Sequence, residues 1–297
     1  MVLTLKATTA SPLERPEDLA PKQKNELDHT APKTSEAVGP HASASLMELT
    51  KNDSINLVDT CAGVAELIES FANLPIKPPS LYVDLEGINI SRHGTISILQ
   101  IFVLPKQSTF LIDIHKLRHN AFSYSATNGI TLRHVLESPS IPKVFFDVRN
   151  DSDALFSHYQ IKLSGVHDLQ LMELATRSFP RRCVSGLSKC LEKDLPMTAS
   201  ERAKWKDVKD KGRRLFAPEC GGSYEVFNTR PLPDEIWRYC AGDVQLLPEL
   251  WRNYDSKITP RWAARVESEV KNRVWLSQSA TFNGKGRHMA LAPAHWA

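Results

Sequence analysis

Three short apolar runs, Leu81 to Glu86 (LYVDLE), Thr95 to Val103 (TISILQIFV) and Phe110 to Ile114 (FLIDI), follow one another with only a few turn-forming residues between them. Runs of this length, rich in Ile, Val, Leu and Phe, read as strands, and connectors this short join strands in antiparallel fashion. The texture then changes to alternation. Helical spacing over Thr131 to Leu136 leads to a short apolar strand from Lys143 to Phe146 and a helix from about Asn150 to Tyr159. Another short strand is expected at Val166 to Asp168, followed by helical spacing over Leu169 to Ala175 and Gly186 to Leu191. A β-rich first half feeding an alternating second half implies an α/β protein with a mixed sheet flanked by helices.

The flanks are of a different kind. Residues 1 to about 45 are rich in Pro, Ser, Thr, Ala and Lys with no apolar period, and are expected to form a disordered leader. The main domain is expected over 46–255, opening with Thr60 as the cap of a helix that carries Val64, Leu67, Ile68 and Phe71. Pro75, Pro78 and Pro79 then break the chain before the first strand. Late in the domain, Pro233-Asp234-Glu235 opens a helix expected to continue through Leu250. A C-terminal helix and tail fill 256–297, with the helix over Trp262 to Leu276 and an aperiodic end expected to hug the domain or fray.

Composition excludes several classes. The five cysteines contain no Cys-x-x-Cys pair, which argues against a disulfide scaffold or a zinc site. A net charge of +3 means that any basic surface must be local. The N-terminus has no apolar signal region and no run is long enough to span a bilayer, so an intracellular location in cytosol, nucleus or both is expected, with no membrane partner.

Chemistry is concentrated in three places. In the first strand, residues i and i+2 share a face, so Asp84 and Glu86 present two hard oxygen ligands together. Lys143-Val-Phe-Phe-Asp147-Val-Arg-Asn150-Asp151 runs from a strand into a helix, with Asp151 in its first turn; capping by Asp147, Asn150, Asp151 and Asp153 explains that pattern without catalysis. On the late helix, Tyr239 and Asp243 are four apart and therefore share a face. A fourth segment, Thr198 to Arg230, has poor periodicity and crowds basic residues. Among these, Lys209, Lys211, Arg213 and Arg214 are candidate contacts to a phosphate backbone, weighed against a plain solvated helix face. The ordered combination of the first three fits phosphoryl chemistry with two divalent ions about 4 Å apart, which needs carboxylate oxygens and no His or Cys.

These motifs resemble the 3′→5′ exonucleases of the DEDD superfamily, in the subgroup whose last motif carries Tyr. YVDLEGINISRHGTISILQIFV, KVFFDVRNDSDALF and RPLPDEIWRYCAGDVQLL look closest to ribonuclease D-like and Egalitarian-like proteins, over about Ser54 to Trp251. The resemblance implies an RNase H-like fold with a five-stranded mixed sheet. It also implies two Mg²⁺ or Mn²⁺ ions bridged by Asp84, with Glu86 and Asp243 completing one site and Asp151 supporting the other. Tyr239 would orient the attacking water.

The expected reaction is release of nucleoside 5′-monophosphates from a single-stranded 3′ end, with RNA favoured over DNA. The alternative is a silent RNA-binding adaptor of the same fold. Two departures stand out. Asp147 occupies a position where many relatives have His or Asn, so it is either a hydrogen-bond acceptor behind the metal ligands, with Asn150, or a source of crowding negative charge. The Thr198 to Arg230 segment is longer than in compact relatives.

Overall fold

The computed structural model describes residues 55 to 296, and the expected leader lies outside them. Strands β1 (Ile55–Val58), β2 (Leu81–Glu86), β3 (Ile98–Val103), β4 (Ser108–Asp113), β5 (Lys143–Phe145) and β6 (Val166–Asp168) form one sheet in the order β1-β4-β3-β2-β5-β6. The hairpin strands β2, β3 and β4 are antiparallel neighbours, as their short connectors predict, while β5 joins β2 in parallel and β6 joins β5. The sheet has six strands, one more than expected. The addition is β1, which lies parallel to β4 at the edge with Asn56 and Leu57 exposed, so it offers too short an apolar pattern to read.

Helices α1 (Cys61–Glu69), α2 (Ile114–Leu117), α3 (Asn120–Ser123), α4 (Leu132–Glu137) and α5 (Arg149–Tyr159) occupy the first part of the domain. Thr60 caps α1 by accepting from the Gly63 amide, and Thr131 caps α4. After them come α6 (Leu169–Thr176), α7 (Leu187–Asp194), α8 (Ala199–Phe216), α9 (Asp234–Gln245), α10 (Leu247–Asp255) and α11 (Pro260–Ser277).

Strand alternation sorts the core. Leu81, Val83 and Leu85 of β2 pack with Leu99, Ile101 and Val103 of β3 in one cluster that includes Val64 and Leu67 of α1 and Leu155 of α5. On the other face, Tyr82 and Phe102 pack with α6, α10 and α11 through Leu171, Leu250 and Val270. Farther along this second face, Ile98 and Leu111 meet Ile236 and Cys240 of α9. Each fully buried aliphatic side chain contributes about 1.5–3 kcal/mol, and this burial on both faces holds β2 at the centre of the sheet. Because Asp84 and Glu86 follow Tyr82 at intervals of two, they point to the face that α9 covers.

Three elements differ from the sequence expectation. The helix expected through Leu250 divides at Leu246, where Pro248 in the first turn of α10 removes a backbone donor. The aperiodic Thr198 to Arg230 segment begins with an 18-residue helix, α8, opened by a capping box between Thr198 and Glu201. Its inner stripe is Trp205, Lys209, Gly212 and Phe216, so a lysine and a glycine occupy positions where a helical period would show apolar residues. The start of α5 is not capped by Asp147 or Asn150. Asp168, at the end of β6, accepts from the amides of Asp147 and Val148 at 3.1 and 3.3 Å.

The C-terminal end does not fray: Trp296 is buried and meets Trp262 edge-on at 5.2 Å, and Cys183 bridges to Leu291. Among the described residues, no helix is long and apolar enough to cross a membrane.

Candidate active site

Close packing of α8 on α9 builds one wall of the site. A Cβ on Gly212 would lie 2.6 Å from the Tyr239 side chain, so only glycine allows this approach. One turn earlier on α8, Lys209 crosses the Tyr239 ring with its ammonium 3.3 Å from the ring centroid and pairs with Asp243. Phe216 holds the other flank of Tyr239, edge-on with centroids 4.9 Å apart.

The floor comes from β2. Ligand oxygens of Asp84, Glu86 and Asp243 all lie within 4.8 Å of one another, which unites the first and last sequence motifs. Asp84 and Glu86 are partly accessible, whereas Asp243 and Asp151 are buried. Asp151 stands outside the trio, at the start of α5, close enough for its charge to act on Glu86 and for the charge of Asp84 to act on it. Directly opposite Asp84 in the β2–β3 register sits Gln100, fully buried with both polar side-chain atoms lacking a hydrogen-bond partner.

Electrostatics define what the site can take. Burial, then the charge of Asp243, pushes the Asp84 carboxyl up to about 7, against the opposing pull of Lys209. Burial and the neighbouring charges of Asp84 and Asp243 hold Glu86 well above the usual carboxylate range. Asp151 is raised in the same way, by burial and then by Asp84 and Asp147. Burial raises Asp243 too, with Lys209 opposing. The Tyr239 phenol is raised by burial and by Asp243, Glu86 and Asp84, so it keeps its proton at any working pH.

One ammonium therefore faces several carboxylates, and Asp243 Oδ2 is buried without a hydrogen-bond partner. Clustered oxygen donors short of positive charge fit a hard divalent cation, and these residues could hold one.

The other candidates fall in different places. Lys211 pairs outward with Asp207 at 2.7 Å and Arg213 with Glu219 at 2.8 Å, both exposed, and Arg214 is exposed beside them. Of the four basic residues only Lys209 reaches the carboxylates. Asn150 turns its Oδ1 into a buried spot against Gly284, where a Cβ would come within 2.1 Å of it. Asp147 accepts two 2.6 Å bonds from the Arg149 guanidinium; burial works to raise its pKa, but this pairing outweighs it and holds the carboxyl below its ordinary value. Its charge still reaches Asp151 and contributes to raising it. Sequence reasoning missed Gln100 and named Lys209 only as one of four basic residues, without placing it beside the carboxylates. A glutamine inside an apolar strand, TISILQIFV, was the available signal for the first.

The fold and site together are those of an α/β protein with a mixed sheet, in which Asp84 and Glu86 of the central strand meet Asp243 of α9, beside Tyr239 of the same helix. A family model described as 3′-5′ exonuclease matches residues 55–258, and the chain belongs to that family of 3′-5′ exonucleases. Among solved structures, Trypanosoma brucei RNase D is 24% identical with a TM-score of 0.63, covering 84% of this chain and 81% of that one. A complex of the same protein with RNA U12 matches at 21% identity and a TM-score of 0.63, covering 84% and 80%. Escherichia coli RNase D, described as an exoribonuclease involved in structured RNA processing, is 19% identical with a TM-score of 0.51, covering 76% of this chain and 51% of that one. These likenesses carry the fold. No curated protein matches the chain significantly.

Proposed function

We propose that the protein hydrolyses single-stranded nucleic acid from the 3′ end, RNA in preference to DNA, to nucleoside 5′-monophosphates, using two Mg²⁺ or Mn²⁺ ions. The observation that carries this reading is the meeting of Asp84, Glu86 and Asp243 within 4.8 Å on a sheet of the exonuclease family. Asp84, Glu86 and Asp243 would hold one cation, and Asp84 with Asp151 the other. When bound, such cations acidify water and neutralise charge that builds on the phosphate.

This chain's own residues supply the orientation. Tyr239, kept as a neutral phenol by burial and then by the carboxylates around it, hydrogen-bonds the attacking water, and Glu86 accepts from the same water. Lys209 brings an ammonium to the recess that a phosphate oxygen can take in place of Asp243. The preference for RNA is supported by the RNA U12 bound to the Trypanosoma brucei protein of similar fold. A silent adaptor has no need of carboxylates crowded until their pKa values rise, and no observation favours it.

The test uses purified protein with 5′-labelled single strands of RNA and DNA, in Mg²⁺ or Mn²⁺ and then with chelator. A ladder that shortens from the 3′ end, faster on RNA and abolished by chelator and by Asp84→Asn, is the expected result. Equal degradation by wild type and Asp84→Asn, or none with either metal, would falsify the reading.

A further inference from the structure

The family match ends at residue 258, yet the chain continues into α11 and a packed tail. Two arginine clusters bind that continuation to the catalytic motifs. Arg273 of α11, 4% exposed, donates from Nη1 to Asp168 at 2.7 Å and to Asp147 at 3.4 Å. Asp168 is fully buried and also takes the amides of Asp147, Val148 and Gln170, so a single carboxylate gathers the turn that launches α5 together with α11. At that turn Asp147 adopts φ +62°, in the left-handed region that few residues with a Cβ enter and that Asp enters more readily than most. Arg149, besides its bonds to Asp147, donates to the Met289 carbonyl of the tail at 2.8 Å.

The second cluster starts from the loop that leaves Glu86. Arg92 meets Asp153 of α5 twice, through its backbone N and its Nε, each at 2.8 Å. The same guanidinium donates to the carbonyls of Ser277, Ser279 and Ala280, at the end of α11 and just beyond it. Asp151 lies between the two attachment points, four residues after Asp147 in the turn before α5 and two before Asp153 on α5. Its distance from Asp84 and Glu86 is thus set by contacts that converge on α11.

Resting on the two-cation reading above, we infer that α11 and its arginine contacts are a positioning element of the nuclease site, with Arg273, through Asp168 and Asp147, holding Asp151 in register with Asp84. Arg273 touches no reacting atom. Without it the buried Asp168 loses its counter-charge and the turn at Asp147 loses one of its restraints. A displacement of about 1 Å at such a group is enough to cost ~100-fold in rate. The trio of Asp84, Glu86 and Asp243 lies on β2 and α9, to which Arg273 makes no hydrogen bond or ion pair, and is left intact.

The experiment is Mn²⁺ binding to the full chain, followed by calorimetry and by the loss of the free-ion electron paramagnetic resonance signal, on wild type, Arg273→Met, Arg273→Lys and Asp147→Asn. Melting curves in chelator accompany each protein. The expected result is that wild type binds two ions, while Arg273→Met keeps the tighter site unchanged and weakens the other at least tenfold. Arg273→Lys should recover part of that loss. Excess Mn²⁺ should restore part of the exonuclease rate of Arg273→Met. Asp147→Asn, whose side chain is 27% exposed and leaves the buried Asp168–Arg273 pair in place, guards against a failure of Arg273→Met to fold and should weaken the same site about threefold. Two unaltered sites in a folded Arg273→Met, with only the melting temperature lowered, overturn the inference alone. A wild type that binds no Mn²⁺ overturns the reading of the site, and the inference with it.

Discussion

Tyr239 stands with its ring held between Lys209 and Phe216 and its phenol kept neutral by burial and three nearby carboxylates. Under the proposed mechanism a neutral phenol in that position would orient water and leave the metal to the carboxylates. Tyr239→Phe is therefore expected to lower kcat by about 100-fold, the scale of a lost orienting group, with metal affinity and melting temperature unchanged. Steady-state rates beside a calorimetric metal titration check this, and a matching fall in metal affinity would show that the hydroxyl has another role. Tyr239 and Asp243 were legible as a pair because helical spacing fixes which residues share a face. Lys209 was legible only as one member of a basic run, since sequence spacing does not say which of several charged residues on a helix turns inward.

The helix α8 makes the same point for an element. It presents Trp205, Lys209, Gly212 and Phe216 to the domain, a stripe whose lysine and glycine disguise its period. Gly212 decides how close the helix comes, because a Cβ there would meet the Tyr239 side chain at 2.6 Å. Gly212→Ala should thus act on the site even though alanine favours a helix by about 1 kcal/mol over glycine. We expect a drop in kcat of tenfold or more, with circular dichroism unchanged and helix content retained. Wild-type kinetics in this variant would mean that α8 can retreat from Tyr239 without consequence. The edge strand β1 and the break between α9 and α10 were hidden for similar reasons: one is short and half exposed, and the other turns on where a single proline falls in a continuous apolar pattern.

For the molecule as a whole, the acidic site is a local cost in the absence of metal. Its carboxyls are raised in the folded protein, Asp84 to about 7, while in the unfolded chain they ionise in their ordinary range near 4. As pH rises from that range through the folded values, the native state binds more protons than the unfolded one, so this cluster's contribution to stability falls. Metal takes the deprotonated site and reverses the loss. The rise in melting temperature caused by saturating Mg²⁺ should therefore grow between pH 5.5 and 8, and Asp243→Asn should flatten that growth. Taking the difference between loaded and chelated protein removes the opposing titrations of buried groups such as Lys143, whose ammonium burial lowers to about 7. A metal-induced shift that is constant across this range would place the raised pKa values elsewhere.

The sequence by itself determined the strands β2 to β6, the alternation along β2 and the helical spacing on α9, because each depends on backbone geometry repeated over a few residues. It therefore yielded Asp84 with Glu86 and Tyr239 with Asp243 as pairs, and the order of the motifs with the family resemblance led to the expectation that they share one site with Asp151. The tertiary structure brings these pairs into one cluster, and it alone decided that Lys209 enters it across 34 residues and that Arg273 reaches back 105 residues to Asp168. Contacts over such separations are set by how helices pack on the sheet, which no local period records.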